Sequence, residues 1–205
     1  DTVKALASHV SINTIMTDVA STKQQIIHEI NQLNIQQLFI PGHPMAGKQT
    51  ALFQAATPDL FANKNYFLIK QSDPRYEHFK SFIKALSCHI IEIKAEDHDS
   101  RVAALSHLPY LTAACLLNTA LAHQSLDDIN QSKGPGFYDS TRLAGSDPDW
   151  GLGVCKTNKN AICKNLETLI HALQTTLNDI KENNATALHT QLSNVQHNQQ
   201  QIKKN

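Results

Sequence analysis

The stretch Gln37-Leu38-Phe39-Ile40-Pro41-Gly42-His43-Pro44-Met45-Ala46-Gly47 decides how the chain is read. Its first part, Gln37 to Pro41, predicts a strand that runs into the glycine-flanked segment. Two glycines and a second proline then predict a turn over Gly42–Gly47. A strand that ends in a turn carrying one imidazole places that imidazole at a carboxyl edge, where open α/β sheets collect ligands. His43 is therefore the first candidate for chemistry. A histidine alone in a turn is more often inert, so its weight depends on companions elsewhere.

Working outward, the first half of the chain alternates. Residues 2–10 predict the end of a helix, and Ile12 to Thr17 a short strand. Ile26, Ile27, Ile30 and Leu33 recur at helical spacing. Beyond the turn, Asn65 to Lys70 predicts a strand, Phe79, Ile83 and Leu86 one face of a helix, and His89 to Lys94 a last strand. Alternation of this kind predicts a mainly parallel α/β sheet. After about Ala95 the pattern becomes helical. A run from Glu96 to Ala122 contains Pro109, read as a kink or a break, and Asp127 to Pro135 reads as a polar loop. Ile162, Leu166, Leu169, Leu173, Leu177 and Ile180 form a strong amphipathic stripe, and a weaker one (Leu188, Leu192, Val195, Ile202) follows. The expected fold is an α/β, partial Rossmann-like domain over residues 1–95, followed by an all-α helical domain over 96–205.

Composition narrows the partners. Lysine plus arginine and aspartate plus glutamate number 18 each, so no basic field favours nucleic acid or an anionic membrane. The longest apolar stretches, such as Leu111 to Leu121, are too short to span a bilayer, and no secretory signal opens the chain. Cys88, Cys115, Cys155 and Cys163 form no CxxC pair and sit in apolar or helical patterns. Buried free thiols are expected, which suits a cytoplasmic protein, and no metal site is predicted.

Three segments carry chemistry. Thr17-Asp18-Val19-Ala20-Ser21-Thr22-Lys23 runs from a strand end into a helix, so Ser21 can offer its hydroxyl to a ligand or serve equally as an N-cap. Gly42–Gly47 is the second. The third comprises Glu96, His98 and Asp99, then Ser106-His107-Leu108-Pro109-Tyr110, then Gly136-Phe137-Tyr138-Asp139-Ser140-Thr141-Arg142 with Ser146-Asp147-Pro148. Asp139 and Arg142, three apart, share a helix face. They read either as a weak surface pair or as a guanidinium oriented by Asp139 for a substrate carboxylate.

In this order the segments resemble the prephenate/arogenate dehydrogenase family, with its T-D-x-x-S-x-K, H-P-M-A-G, H-D…S-H-L-P-H and G-F-x-D-x-T-R…S-D-P stretches, from Asp1 to about Asn165. The resemblance implies oxidative decarboxylation of prephenate or arogenate with NAD or NADP, in tyrosine biosynthesis, by a homodimer. It makes His43 the base that takes the proton of the substrate's 4-hydroxyl, with Ser21 on the same hydroxyl. It implies substrate binding by Arg142, Asp139, His107, Tyr110 and Gln49, and cofactor contacts by Asp18, Ser21 and Pro44.

Some features depart from the pattern. The family's G-x-G-x-x-G fingerprint is not among these 205 residues, so this polypeptide by itself is expected to bind the dinucleotide poorly or not at all. Tyr110 stands where the family has the last histidine of S-H-L-P-H, and Gln49 where an acid is common. Trp150 falls one place early relative to S-D-P-x-M-W, and some of these features resemble the arogenate-using branch. The competing expectation is a truncated, inactive homologue that serves as a dimerisation module. A β-hydroxyacid-type dehydrogenase is a weaker alternative, since no lysine lies in a matching helical motif.

Overall fold

Helix α2 (Gln24–Gln32) is short but strongly amphipathic, and it buries Ile30. In a computed structural model, which describes residues 2–47 and 56–202, it connects two parallel strands, β1 (Ile15–Thr17) and β2 (Leu38–Ile40). Ile15 pairs with Leu38 and Thr17 with Ile40. Met16, Ile30 and Phe39 make a small core, against which Val3 and Ala7 of α1 (Thr2–Ala7) pack. The strand expected over 12–17 is shorter at its start, because Ile12 lies exposed in a turn.

The Gly42–Gly47 turn needs correcting. Gly42–Pro44 is a strand, β3, paired antiparallel with β4 (Asn65–Ile69), so that His43 faces Phe67 across the ladder. Pro41 ends the pairing with β1, and its carbonyl accepts from Ile69 N–H at 3.0 Å, which moves the chain from one ladder to the next. Antiparallel pairing of β3 suits Pro44, whose missing N–H is tolerated at an edge. Strand β4 also pairs in parallel with β5 (His89–Ile93). Helix α3 (Arg75–Ala85) covers this three-stranded sheet, and Ile40, Leu68, Tyr76, Phe79 and Ile83 form the larger core. Gly42 must lack a side chain, since a Cβ there would lie 2.7 Å from Tyr66 Oη and 2.8 Å from its ring. Asn34 and Ser87, just beyond α2 and α3, have φ of 48° and 60°, left-handed caps that stop those helices.

The second half is helical. Helix α4 (Ala95–Val102) runs through a π turn (Ala103–His107) into α5 (Leu108–Leu121). Pro109 neither breaks nor simply kinks the run. It cannot donate to the carbonyl four residues back, and the wider π turn accommodates that loss. The expected loop over 127–135 is instead helix α6 (Leu126–Ser132), because Ser125 and Asp128 form a reciprocal capping box. Helix α7 (Pro135–Thr141), a 3-10 turn (Arg142–Gly145) and α8 (Pro148–Thr157) follow, then α9 (Lys159–Lys181) and α10 (Ala185–Gln201).

By internal contacts the chain divides into two compact units, 1–162 and 163–205. The candidate site residues that the structure describes lie in the first. In the second, Ile170, Leu173, Leu177 and Ile180 of the α9 stripe are exposed. The cysteines are free thiols but not buried: Cys88 and Cys155 are half-buried, whereas Cys115 and Cys163 face solvent from their helices. Among the described residues no helix is long and apolar enough to cross a membrane.

Candidate active site

The end of β1 and the start of α2 hold the site together. Lys23, fully buried, directs its ammonium to the Asp18 carboxylate and to Gly42 O, the latter at 2.6 Å. Asp18 also accepts from Ala20 N–H at 3.0 Å and from Gly42 N–H at 3.1 Å. Both sides of the Gly42 backbone are thereby fixed, and so is the position of His43. Burial pushes the Lys23 ammonium down from its usual range, against the opposing pull of Asp18 and Asp99.

His43 has its ring at the wall of a cleft of about 550 Å³, a size suited to a small organic ligand. Ser21, Pro44, Met45, Ser106, Arg142 and Trp150 are among the other lining residues. Behind the wall, His43 Nδ1 lies 2.9 Å from His98 Nε2, and His98 Nδ1 lies 2.7 Å from Asp99 Oδ1. Asp99, itself fully buried, accepts from the backbone N–H groups of Lys23 at 2.8 Å and Gln24 at 2.9 Å, where α2 begins. Burial pushes the Asp99 carboxyl up, but the hydrogen bonds from His98, Gln24 and Lys23 outweigh it and hold the group below its ordinary value. Phe67 closes one side, with its ring edge-on to His98 at 5.1 Å.

The Ser21 hydroxyl accepts the Trp150 indole N–H at 3.0 Å, across 129 residues of chain. An indole only donates, so the serine O–H remains available to a ligand. Thr22 next door is tied to Thr157 at 2.9 Å, which docks α8 against the same strand end.

The other residues singled out from the sequence are placed less uniformly. Arg142 lines the cleft. Asp139 is exposed, and no ion pair joins it to Arg142, so the expected orienting contact is absent. The reason is local: α7 ends at Thr141 and tightens into a 3-10 turn at Arg142, which changes the angular step between the two side chains. Tyr110 lies against Gly151, where a Cβ would come within 2.4 Å of its hydroxyl, and its ring meets Trp150 at 5.2 Å. His107 is fully buried, with Nδ1 3.4 Å from Asn158 Nδ2 and its ring 6.0 Å from Trp150. Neither Tyr110 nor His107 is among the cleft-lining residues. Gln49 lies outside the described residues. Asp18 spends its carboxylate on Lys23 and the backbone, and Pro44 lines the cleft.

Sequence reasoning did not single out Lys23, His98, Asp99, Ser106, Trp150 or Asn158 as working side chains. The adjacent His98-Asp99 pair was visible as a motif, but its partner lies 55 residues away. Asn158 donates to Asp99 O at 2.7 Å and had no local signal.

Two of these imidazoles are held neutral. Burial pushes His43 down to about 3, with the neighbouring His98, Lys23 and His107 adding to the effect and Asp99 opposing it. Burial likewise pushes His107 down to about 4. Unfolded histidines titrate near about 6.5, so below that value the unfolded chain binds more protons than the folded one. Stability is therefore full above about 6.5 and falls as pH drops toward the folded values. Each group contributes roughly 1.4 kcal/mol of loss per pH unit in that window. Urea unfolding at pH 7 and pH 5 is expected to show a combined loss of about 2–4 kcal/mol; an unchanged midpoint would contradict it.

The chain matches the prephenate dehydrogenase nucleotide-binding domain over residues 1–92 and the prephenate dehydrogenase dimerization domain over residues 94–194. The chain belongs to the prephenate dehydrogenase family. It is 31% identical over 164 residues to the prephenate dehydrogenase of Bacillus subtilis, a match covering 78% of this chain and 44% of that protein. The corresponding figures for the enzyme of Lactococcus lactis are 30% over 159 residues, 75% and 43%, so the chain spans less than half the length of either relative. Among solved structures it is similar to the arogenate dehydrogenase of Synechocystis, with 29% identity, a TM-score of 0.81 and coverage of 97% of this chain and 73% of that one. A prephenate dehydrogenase from A. aeolicus, in complex with hydroxyphenyl propionate and NAD+, shares the fold with a TM-score of 0.87 at 24% identity, over 98% and 71% of the two chains. The fold is thus a Rossmann-like nucleotide-binding portion followed by a helical portion.

Proposed function

We propose that the protein oxidatively decarboxylates prephenate or arogenate with NAD or NADP, through a site built on His43, Ser21 and Arg142. The observation that carries this reading is the state of His43: an imidazole at a cleft wall, kept neutral by burial, with one ring nitrogen already engaged by His98. A neutral imidazole with its other nitrogen free can take the proton of a ring hydroxyl. Ser21, whose oxygen accepts from Trp150 and whose O–H has no acceptor among the described residues, can hydrogen-bond the same hydroxyl. The guanidinium of Arg142 suits a substrate carboxylate, and among the described residues it has no acidic partner of its own to displace.

The residues present fit the nicotinamide end of a dinucleotide. The cleft at the carboxyl ends of β1 and β2 has the volume for a ring beside the substrate, and Ser21 and Pro44 border it. Asp18 supports that wall through Gly42. When bound, the nicotinamide supplies the hydride acceptor. His43 receives the proton, Arg142 holds the anion, and Trp150 keeps the serine oriented.

The same reading takes residues 1–95 as the nucleotide-binding portion and 96–205 as the helical portion, with His107 and Tyr110 shaping the substrate side through Trp150. A second copy of the chain is the proposed partner, supported by the dimerization-domain match and by the exposed apolar residues of α9. A reducing cytoplasm suits the four free thiols. The test is turnover of the full-length gene product with prephenate and with arogenate, each with NAD and with NADP, followed by absorbance of the reduced nicotinamide. At least one combination is expected to turn over; silence in all four would overturn the proposal.

A further inference from the structure

The buried chain of groups behind His43 has a direction, and the direction begins at the backbone. The N–H groups of Lys23 and Gln24 can only donate, so the Asp99 carboxylate accepts from both, at 2.8 and 2.9 Å. An ionised carboxylate has no proton to give, which makes His98 Nδ1 the donor in the 2.7 Å contact with Asp99 Oδ1. With its one proton on Nδ1, His98 offers only a lone pair at Nε2. The 2.9 Å contact from that atom to His43 Nδ1 then requires the proton to sit on His43 Nδ1. We propose that His98 and Asp99 are positioning residues that lock His43 in its Nδ1–H tautomer, leaving Nε2 as its unprotonated nitrogen.

The proposal rests on the reading of His43 as a proton acceptor, and it explains how a strongly buried imidazole can serve. Burial disfavours the imidazolium that forms when Nε2 takes a proton. The Asp99 charge opposes that penalty, and His98 joins Asp99 to His43 through two hydrogen bonds. The donor's O–H bond breaks as an N–H bond forms at Nε2, no oxidation state changes at His43, and the Nδ1 proton stays in the contact with His98. The geometry is also rigidly supported. Asn158 donates to Asp99 O at 2.7 Å, Lys23 Nζ donates to Gly42 O at 2.6 Å, and Phe67 packs edge-on against His98. Among the described residues, the charged or titratable groups around the pair are Lys23 and Asp18 from the β1–α2 side, Asp99 from α4, and His107 from the π turn.

The decisive measurement is nitrogen NMR of the full-length protein labelled with 15N-histidine, without substrate, near pH 7.5. The His43 signals, assigned by their loss in His43→Gln, are expected to show a protonated Nδ1 and an unprotonated Nε2. His98 is expected to show the same pattern. A proton on His43 Nε2, or protons on both nitrogens of His98, would overturn the proposal. Variants at 98 supply a second reading. His98→Phe offers no acceptor and should give a mixture of His43 tautomers, with kcat down about 10- to 100-fold and KM within twofold. His98→Gln, whose amide oxygen can accept from Nδ1–H, should restore the single tautomer and at least tenfold of the lost kcat. Equal losses in both variants would mark His98 as merely structural and defeat the proposal. If His98→Phe does not fold, the wild-type spectrum still decides. Because that spectrum needs no turnover, a wrong tautomer and an unneeded His43 give different results: the first shows in the spectrum, the second as undiminished turnover in a His43 variant.

Discussion

Replacing His43 by asparagine is expected to lower kcat by about a thousandfold, within the usual range for loss of a general base, while KM changes by less than about threefold. Asparagine keeps a polar group in the cleft but cannot accept a proton at neutral pH, so substrate binding should survive where turnover does not. The split between kcat and KM is the diagnostic part, because it separates loss of a proton acceptor from loss of a contact made equally before and during reaction. The wild-type protein carries a related signature. With His43 pushed down to about 3, its protonation falls far below the range of an ordinary histidine. The profile of kcat/KM against pH should therefore lack an acidic limb near about 6.5 from this residue. Initial rates from pH 5.5 to 8.5, on wild type and variant, measure both features. Undiminished turnover by His43→Asn would remove the histidine from the chemistry.

Arg142→Ala is expected to raise KM about 10- to 100-fold, the effect of losing a charge-assisted pair of hydrogen bonds worth roughly 1.5–3 kcal/mol. Turnover at saturation should fall much less, since a carboxylate held alike in ground and transition states contributes mainly to binding. Arg142→Lys should recover only part of the loss, because an ammonium lacks the planar fork. Asp139→Ala should leave KM within about twofold, since no ion pair links Asp139 to Arg142. A normal KM in Arg142→Ala would refute the carboxylate assignment.

Much of the architecture could be read from local pattern. The strands β1, β2, β4 and β5, the helices between them and the change to an all-helical second half all follow from runs of apolar residues and their spacing. The misreadings have physical sources. Ser125 and Asp128 make a capping box inside a segment polar enough to pass for a loop. Pro44 and two glycines concealed a strand, because an edge strand needs only half of its backbone groups paired. Asp139 and Arg142 are spaced for contact on an α-helix, but the helix tightens before Arg142.

The segment around His43 shows the division best. By itself the sequence determined that Gly42 to Gly47 follows a buried strand and carries an imidazole in a family-like motif, since strand ends and motifs depend on neighbours along the chain. It also placed Ser21 and Arg142 in matching segments. Only the tertiary structure decided that His43 Nδ1 meets His98, that Asp99 is held by the first N–H groups of α2, and that Trp150 takes one side of the Ser21 hydroxyl. Those contacts join residues 55, 76, 75 and 129 positions apart. Periodicity reports only which face of an element is apolar; the pairing of one buried polar atom with another depends on how the elements pack.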